Sequence, residues 1–267
     1  MTISSLVHRA RALSTLPNKS AVVLLSGGLD SATTLAIARS EGLSAQTLCF
    51  DYNQRHRHEI SAAAKISKQL GALSHRVARV DTGIFSQSAL TDTNIAVPKH
   101  RSTNDMQASI PETYVPARNI LFLSYALALA ESIQASYIYI GANAVDYSGY
   151  PDCRPQFFEC FQRVADVGTR AGVQSHAAPQ IRAPLLHWTK RQIIQRGLQL
   201  GVDYSMTHSC YDPGPDGRPC TGCDSCILRA EAFTELGFRM DPALERFETS
   251  RAALNPNKFT GSPSCTT

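Results

Sequence analysis

The sequence predicts an α/β protein, a doubly wound parallel sheet with helices on both faces, followed by a helical C-terminal segment organised by cysteines. Three observations carry that expectation. The apolar, β-branched run AVVLL (21–25) ends in the loop Ser26-Gly27-Gly28-Leu29-Asp30-Ser31, and a stretch of Ala, Leu and Ile at helical spacing follows. Strand-like and helix-like segments then alternate for most of the chain, which is the order of a parallel sheet covered by crossover helices. Near the end, three cysteines fall within seven residues, with a fourth just upstream.

The elements follow in order. AQTLCF (45–50) reads as a strand, HEISAAAKISKQLG (58–71) as a helix ending on glycine, and HRVARV (75–80) as a strand. Residues 82–117 lack periodicity and are too long for an ordinary connection, so they form a mobile lid, a binding loop or a small excursion. A strongly apolar helix is expected over 118–134, a strand in YIYIG (137–141) and a helix through 155–172. A short strand in IRAP (181–184) and a capped helix over 189–201 complete the sheet. The chain divides into an extension (1–19), the sheet domain (20–205), the cysteine segment (206–240) and a polar tail from about 241 that is expected to fray. Because ligands of such sheets bind beyond the carboxyl ends of the strands, the loops 26–31, 50–56 and 141–154, and the segment before 118, should line the site.

A net charge of +4 on 267 residues falls short of the dense basic stripe of a protein held by nucleic-acid backbone, so no nucleic-acid partner is expected. The N-terminal stretch has no continuous apolar core and no later segment is long enough to span a bilayer, which points to a cytoplasmic protein without membrane attachment.

The loop at 26–31 has the chemistry of an anion site. Glycines admit close approach of a ligand, and the helix start presents unpaired N–H groups at the positive end of its dipole. It lacks the lysine of GxxxxGK[ST], and its adjacent glycines do not fit GxGxxG. The remaining pattern, SGGxDS, resembles the PP-loop of ATP pyrophosphatases. That resemblance implies ATP as ligand, held by Leu25 through Ala32. Ser26 and Ser31 would donate to pyrophosphate oxygens, the amides of Gly27 and Gly28 would line the cradle, and Asp30 would cap the helix or help hold Mg²⁺. Arg118 and Lys190 each open a helix and can reach phosphate oxygens or the leaving pyrophosphate. Phe50, with Asp51 at the end of the second strand, stands where such enzymes place adenine and ribose, and Gly141 ends the strand after the third long helix.

The spacing C-x9-C-x2-C-x2-C over Cys210, Cys220, Cys223 and Cys226 suits tetrahedral Zn²⁺. Four protein ligands leave no open position, so such a site is structural. An iron–sulfur cluster and unligated thiols are the alternatives. Cys49, Cys153 and Cys160 read as core or loop residues.

FDYNQRHRHE (50–59), YVPARNILFLSYA (114–126), GANAVDYSGYPDCRPQF (141–157) and the cysteine segment occur in that order. Together they resemble the 7-cyano-7-deazaguanine synthase family over roughly residues 20–237, with Ala117 where the family usually has glycine. The resemblance implies ATP-dependent conversion of 7-carboxy-7-deazaguanine and free ammonia to the nitrile, with Asp30, Arg118 and Lys190 serving catalysis. It also implies a homodimer. DYSGYPDCR suits a purine-like substrate: Asp152 can accept the N1–H and exocyclic amine, Tyr147 or Tyr150 can stack, and Ser148 and Arg154 flank them. A tRNA thiolase and a non-catalytic ATP sensor are the competing readings of the same loop.

Overall fold

The computed structural model describes residues 19–254 apart from 56, 82, 84, 86 and 145–149. Tyr147 and Ser148 therefore lie outside the described residues. Five parallel strands, β1 (Ser20–Leu24), β2 (Ser44–Asp51), β3 (Ser74–Arg79), β4 (Tyr137–Tyr139) and β5 (Gln180–Arg182), form one sheet in the order β3-β2-β1-β4-β5. From β1 the chain winds outward to β3, then crosses back to lay β4 on the other side of β1. The direction of winding reverses there, and the carboxyl ends of β1 and β4 open a crevice.

Alternation along β1 builds the two cores. Ala21, Val23 and Leu25 face one side, where they pack with Leu35, Tyr139, Ile193, Ile194 and Phe233. Val22 and Leu24 face the other side, with Leu123, Ala126, Ile138, Phe158 and Phe161. The α-helices of the described residues are α1 (Leu29–Ser40), α2 (His58–Gln69), α3 (Thr103–Ala108), α4 (Arg118–Ser132), α5 (Pro155–Gly168), α6 (Arg170–Ser175), α7 (Lys190–Gln199), α8 (Asp224–Glu235) and α9 (Pro242–Leu254). α1, α7 and α8 contribute to the first core, α4 and α5 to the second. Among the described residues no helix is long and apolar enough to cross a membrane.

Two elements differ from the sequence expectation. The helix anticipated through 155–172 breaks at Thr169, whose backbone is extended at φ −112° and ψ 153°. Its hydroxyl donates to the Ala165 carbonyl and accepts from the Gly172 N–H, so one side chain ends α5 and caps α6. The stretch from Asp241, expected to fray, instead starts α9: the Asp241 carboxylate accepts the Ala243 N–H at 2.9 Å and anchors the buried Arg229. Residues 255–267 lie outside the described residues.

The aperiodic segment before 118 is a folded excursion laid against the cysteine segment. Ala89 and Val97 pack with Cys210, Cys223 and Cys226. Lys99 forms a bridge with Cys223, and the His100 N–H donates to the Gly222 carbonyl at 2.8 Å. Arg101 pairs with Asp224 at 2.9 Å, and Ser102 and Asp105 cap α3 reciprocally.

Candidate active site and cysteine centre

The loop after β1 sits at the switch point. Gly27 takes φ +93°, and a Cβ there would meet the Glu59 carbonyl oxygen at 2.2 Å and the Ala63 nitrogen at 2.8 Å. Its lack of a side chain thus serves the packing of loop on α2 as much as any ligand. Gly28 is extended and precedes α1 with no side-chain cap of its own; the first N–H of the helix, that of Leu29, donates to Ser209 Oγ at 3.2 Å instead. The Ser26 and Ser31 hydroxyls lie 3.1 Å apart, Ser31 donates to the Gly28 carbonyl, and the Gly28 N–H donates to Ser26. Gly141 closes the opposite side; a Cβ on it would stand 3.0 Å from the Ser31 nitrogen and from Thr34 Oγ1. Leu25, Leu29 and Ala32 are buried around this turn, and Leu25 and Leu29 border the cavity with Ser26, Gly28, Asp30 and Ser31.

Two cations line the same cavity as the loop. Lys190 opens α7, which Thr189 and Gln192 cap reciprocally, and its buried Nζ forks onto Asp30 at 2.8 Å and 2.9 Å. Asp30 therefore holds the lysine and is not the cap of α1. Arg118 opens α4 on the facing wall, with its guanidinium 5.9 Å from the Phe122 ring and Nη1 3.5 Å from the Tyr52 hydroxyl. Burial pushes the Tyr52 phenol up to about 12, so it meets Arg118 as a neutral hydroxyl. Phe50 stacks on Phe122 with ring centroids 3.8 Å apart, giving the cavity an apolar aromatic floor at the end of β2.

The expected purine pocket is only partly assembled as the sequence suggests. Tyr150 is buried, lines the cavity, and shares a 2.9 Å hydrogen bond with Thr113 of the excursion. Asp152 turns elsewhere. Its Oδ2 accepts the Asn119 N–H at 3.0 Å and its carbonyl accepts from the Asn119 amide, so it caps the first turn of α4 and fixes the helix that carries Arg118. The reason is local: the 3₁₀ turn Pro151–Cys153 packs against the start of α4, where an N–H group needs an acceptor. Arg154 is exposed and precedes α5.

Several lining residues are not among the expected site residues: Tyr52, Glu59, Asn119, Asn143, His208, Ser209, Tyr211 and Arg229, although Tyr52 and Asn143 fall in loops expected to line the site. Three of them flank cysteine ligands. Ser209 and Tyr211 bracket Cys210, and Arg229 lies three residues past Cys226, one turn along α8. Adjacency to the cysteine cluster is the signal that could have found them.

The four expected ligands do come together. The Sγ atoms of Cys210, Cys220, Cys223 and Cys226 lie within 4.8 Å of one another. Tetrahedral zinc with Zn–S of about 2.3 Å asks for sulfur separations of about 3.8 Å, so the donor set fits such an ion. Backbone N–H groups of Cys220, Cys223 and Tyr211 donate to the sulfurs of Cys210, Cys220 and Cys223. These donors suit sulfur acceptors, and the cluster has the donor set of a metal site.

A doubly wound sheet with a serine- and glycine-lined loop at its switch point, and lysine and arginine facing that loop, defines an α/β protein of the phosphate-loop class. The family model "Queuosine biosynthesis protein QueC" matches residues 20–237, and the chain belongs to that family. It is 57% identical over 222 residues to the 7-cyano-7-deazaguanine synthase of Anaeromyxobacter dehalogenans, covering 83% of this chain and 94% of that one. Identity to the synthase of Kineococcus radiotolerans is 56% over 220 residues, 82% of this chain and 95% of the relative. For Desulfatibacillum aliphaticivorans the figures are 53% over 225 residues, 84% and 96%.

Proposed function

We propose that this chain is an ATP-dependent carbon–nitrogen ligase that converts 7-carboxy-7-deazaguanine and ammonia to 7-cyano-7-deazaguanine, releasing AMP and pyrophosphate. The observation that carries the reading is one cavity in which the serine–glycine loop, Lys190 and Arg118 face the aromatic wall of Phe50, Phe122 and Tyr150. A triphosphate needs the first set and flat heterocycles need the second.

In this reading the substrate carboxylate attacks the α-phosphate of ATP, forming an acyl adenylate and expelling pyrophosphate. Ammonia displaces AMP to give the amide. A second ATP adenylates the amide oxygen, expelling a second pyrophosphate as one N–H proton leaves, and loss of AMP with the remaining N–H proton gives the nitrile. The protein positions and stabilises charge; no side-chain nucleophile is needed. Ser26, Ser31 and the amides of Gly27, Asp30 and Ser31 receive the pyrophosphate, in the cradle that Leu25 through Ala32 build. Lys190 and Arg118 offset the charge that develops on it. Phe50 carries adenine, with Leu25 and Gly141 shaping the adjoining walls, and Tyr150 faces the deazapurine. Asp152 acts through Arg118 by fixing α4.

Mg²⁺ entering with ATP would find one carboxylate, Asp30, beside the phosphates, a set that suits its preference for phosphate and water oxygens. Zn²⁺ suits the four cysteines and would stabilise the segment that follows the sheet. Two further expectations remain, a homodimer, which the family resemblance carries, and a cytoplasmic location, which the segment pattern of the sequence carries; light scattering in solution tests the first.

Mass spectrometry of the product, after incubation with the carboxylate, ATP, Mg²⁺ and ammonium, tests the reaction. The expected result is the nitrile with AMP and pyrophosphate. ATP cleavage without nitrile, or iron and labile sulfide in place of zinc in anaerobically purified protein, would replace this reading with the thiolase. No substrate-dependent pyrophosphate release would leave the sensor.

A further inference from the structure

Ser209 stands 180 positions from the loop in sequence and touches it in space. Its hydroxyl accepts the Leu29 N–H at 3.2 Å, from the first residue of α1, and an N–H of Arg229 at 3.3 Å. Arg229 is itself fixed. It is buried, it donates to Thr207 Oγ1 at 2.7 Å and to the Tyr204 carbonyl at 2.9 Å, and it forks onto Asp241 at 2.5 Å and 3.0 Å. A hydroxyl has two lone pairs and one proton. With both lone pairs engaged by donors, what Ser209 has left to offer is its proton, and the partner that proton suits is an oxygen carrying negative charge.

The space for that partner is beside Gly28. A Cβ on Gly28 would stand 3.4 Å from Ser209 Oγ and 3.5 Å from Ser26 Oγ. The glycine thus keeps open a gap flanked by one hydroxyl from the loop and one from the cysteine segment, and both residues border the cavity.

We propose that Ser209 is a phosphate-binding residue, donating its proton to a pyrophosphate oxygen over Gly28, and that Arg229 is the positioning residue that orients it. The proposal rests on the reading of 26–31 as an ATP site. It gives the cysteine segment a role at that site: one end of the segment supplies a hydroxyl to the cradle, and α8 holds that hydroxyl in place.

Calorimetric titration of the full-length, metal-loaded protein tests it, with inorganic pyrophosphate plus Mg²⁺ as one probe and adenosine as the other. Ser209→Ala should weaken pyrophosphate about tenfold or more, the effect of losing a hydrogen bond to a charged group, and leave adenosine binding and metal content unchanged, with a small drop in melting temperature from the Leu29 and Arg229 donors that lose this acceptor. Ser209→Thr keeps the hydroxyl and should restore most of the loss. Unchanged pyrophosphate affinity in Ser209→Ala would overturn the proposal, as would equal loss of both probes or a threonine variant no better than alanine. A wild-type protein that binds adenosine but no pyrophosphate would instead remove the reading of the loop itself, and the proposal with it.

Discussion

Asp30 and Lys190 show how one contact changes what a substitution should do. Taken as a loop residue, Asp30 looks replaceable without harm to the fold. In the structure its carboxylate is the fork that holds a buried lysine, with side-chain exposures of 22% and 8% for the two partners. Removing one partner leaves the other charge poorly solvated. Asp30→Ala should therefore abolish pyrophosphate release and also cost about 2 kcal/mol, less than a fully buried pair because Asp30 keeps some solvent. The double variant Asp30→Ala with Lys190→Met should regain most of the stability and none of the activity. Urea denaturation of the two single variants and the pair gives the coupling; simple additivity would remove the pair from the stability argument. Ala117 offers a second test at this scale. It precedes α4 in the left-handed region, φ +56°, where its Cβ costs about 1 kcal/mol. Ala117→Gly relieves that strain but loosens the unfolded chain, so a gain of at most about 1 kcal/mol is expected, read from the same denaturation curves. Destabilisation would mean that the methyl contributes packing.

At the scale of elements, the cysteine centre organises three pieces at once. Cys223 precedes α8 and Cys226 lies in its first turn, while the excursion rests on the same cluster through Val97, Lys99 and His100. Without a cation, thiolates this close repel one another, and the Pro- and Gly-rich turn between Cys210 and Cys220 has little regular structure to hold it. Chelation should lower melting temperature and metal content together, and Cys223→Ser should do the same. Turnover per folded molecule should return when Zn²⁺ is restored to the chelated protein. Loss of turnover at unchanged melting temperature, with both substrates still bound, would mark the metal as catalytic. The spacing of the four cysteines was legible because all lie within one short segment. The break at Thr169 was not, because helical periodicity continues across it and the decision belongs to one hydroxyl that bonds in both directions. Asp152 was misplaced for a related reason: a carboxylate in a turn suits a ligand and a helix start equally, and only the neighbouring α4 chooses.

Across the whole molecule, the chain after the sheet returns to the site that the first strand began. Asp241, at the entry to α9, is the counter-ion of the buried Arg229, with side-chain exposures of 11% and 4%. Asp241→Asn keeps the shape and removes the charge, so it should cost about 2 kcal/mol, measured by urea denaturation. No change in stability would show that the carbonyls and hydroxyls around Arg229 suffice. The sequence alone determined the α/β class, the position of the serine–glycine loop after the first strand and the four cysteines that cluster, since each is written in periodicity or spacing over a few tens of residues. Tertiary structure decided that Lys190 meets Asp30, that Ser209 and Arg229 join the loop, and that the excursion covers the cysteine centre. Those pairings depend on the strand order β3-β2-β1-β4-β5 and on which crossover packs on which face. A contact between residues 180 positions apart, such as Leu29 with Ser209, leaves no trace in local pattern because its energy exists only once the sheet has brought the two segments together.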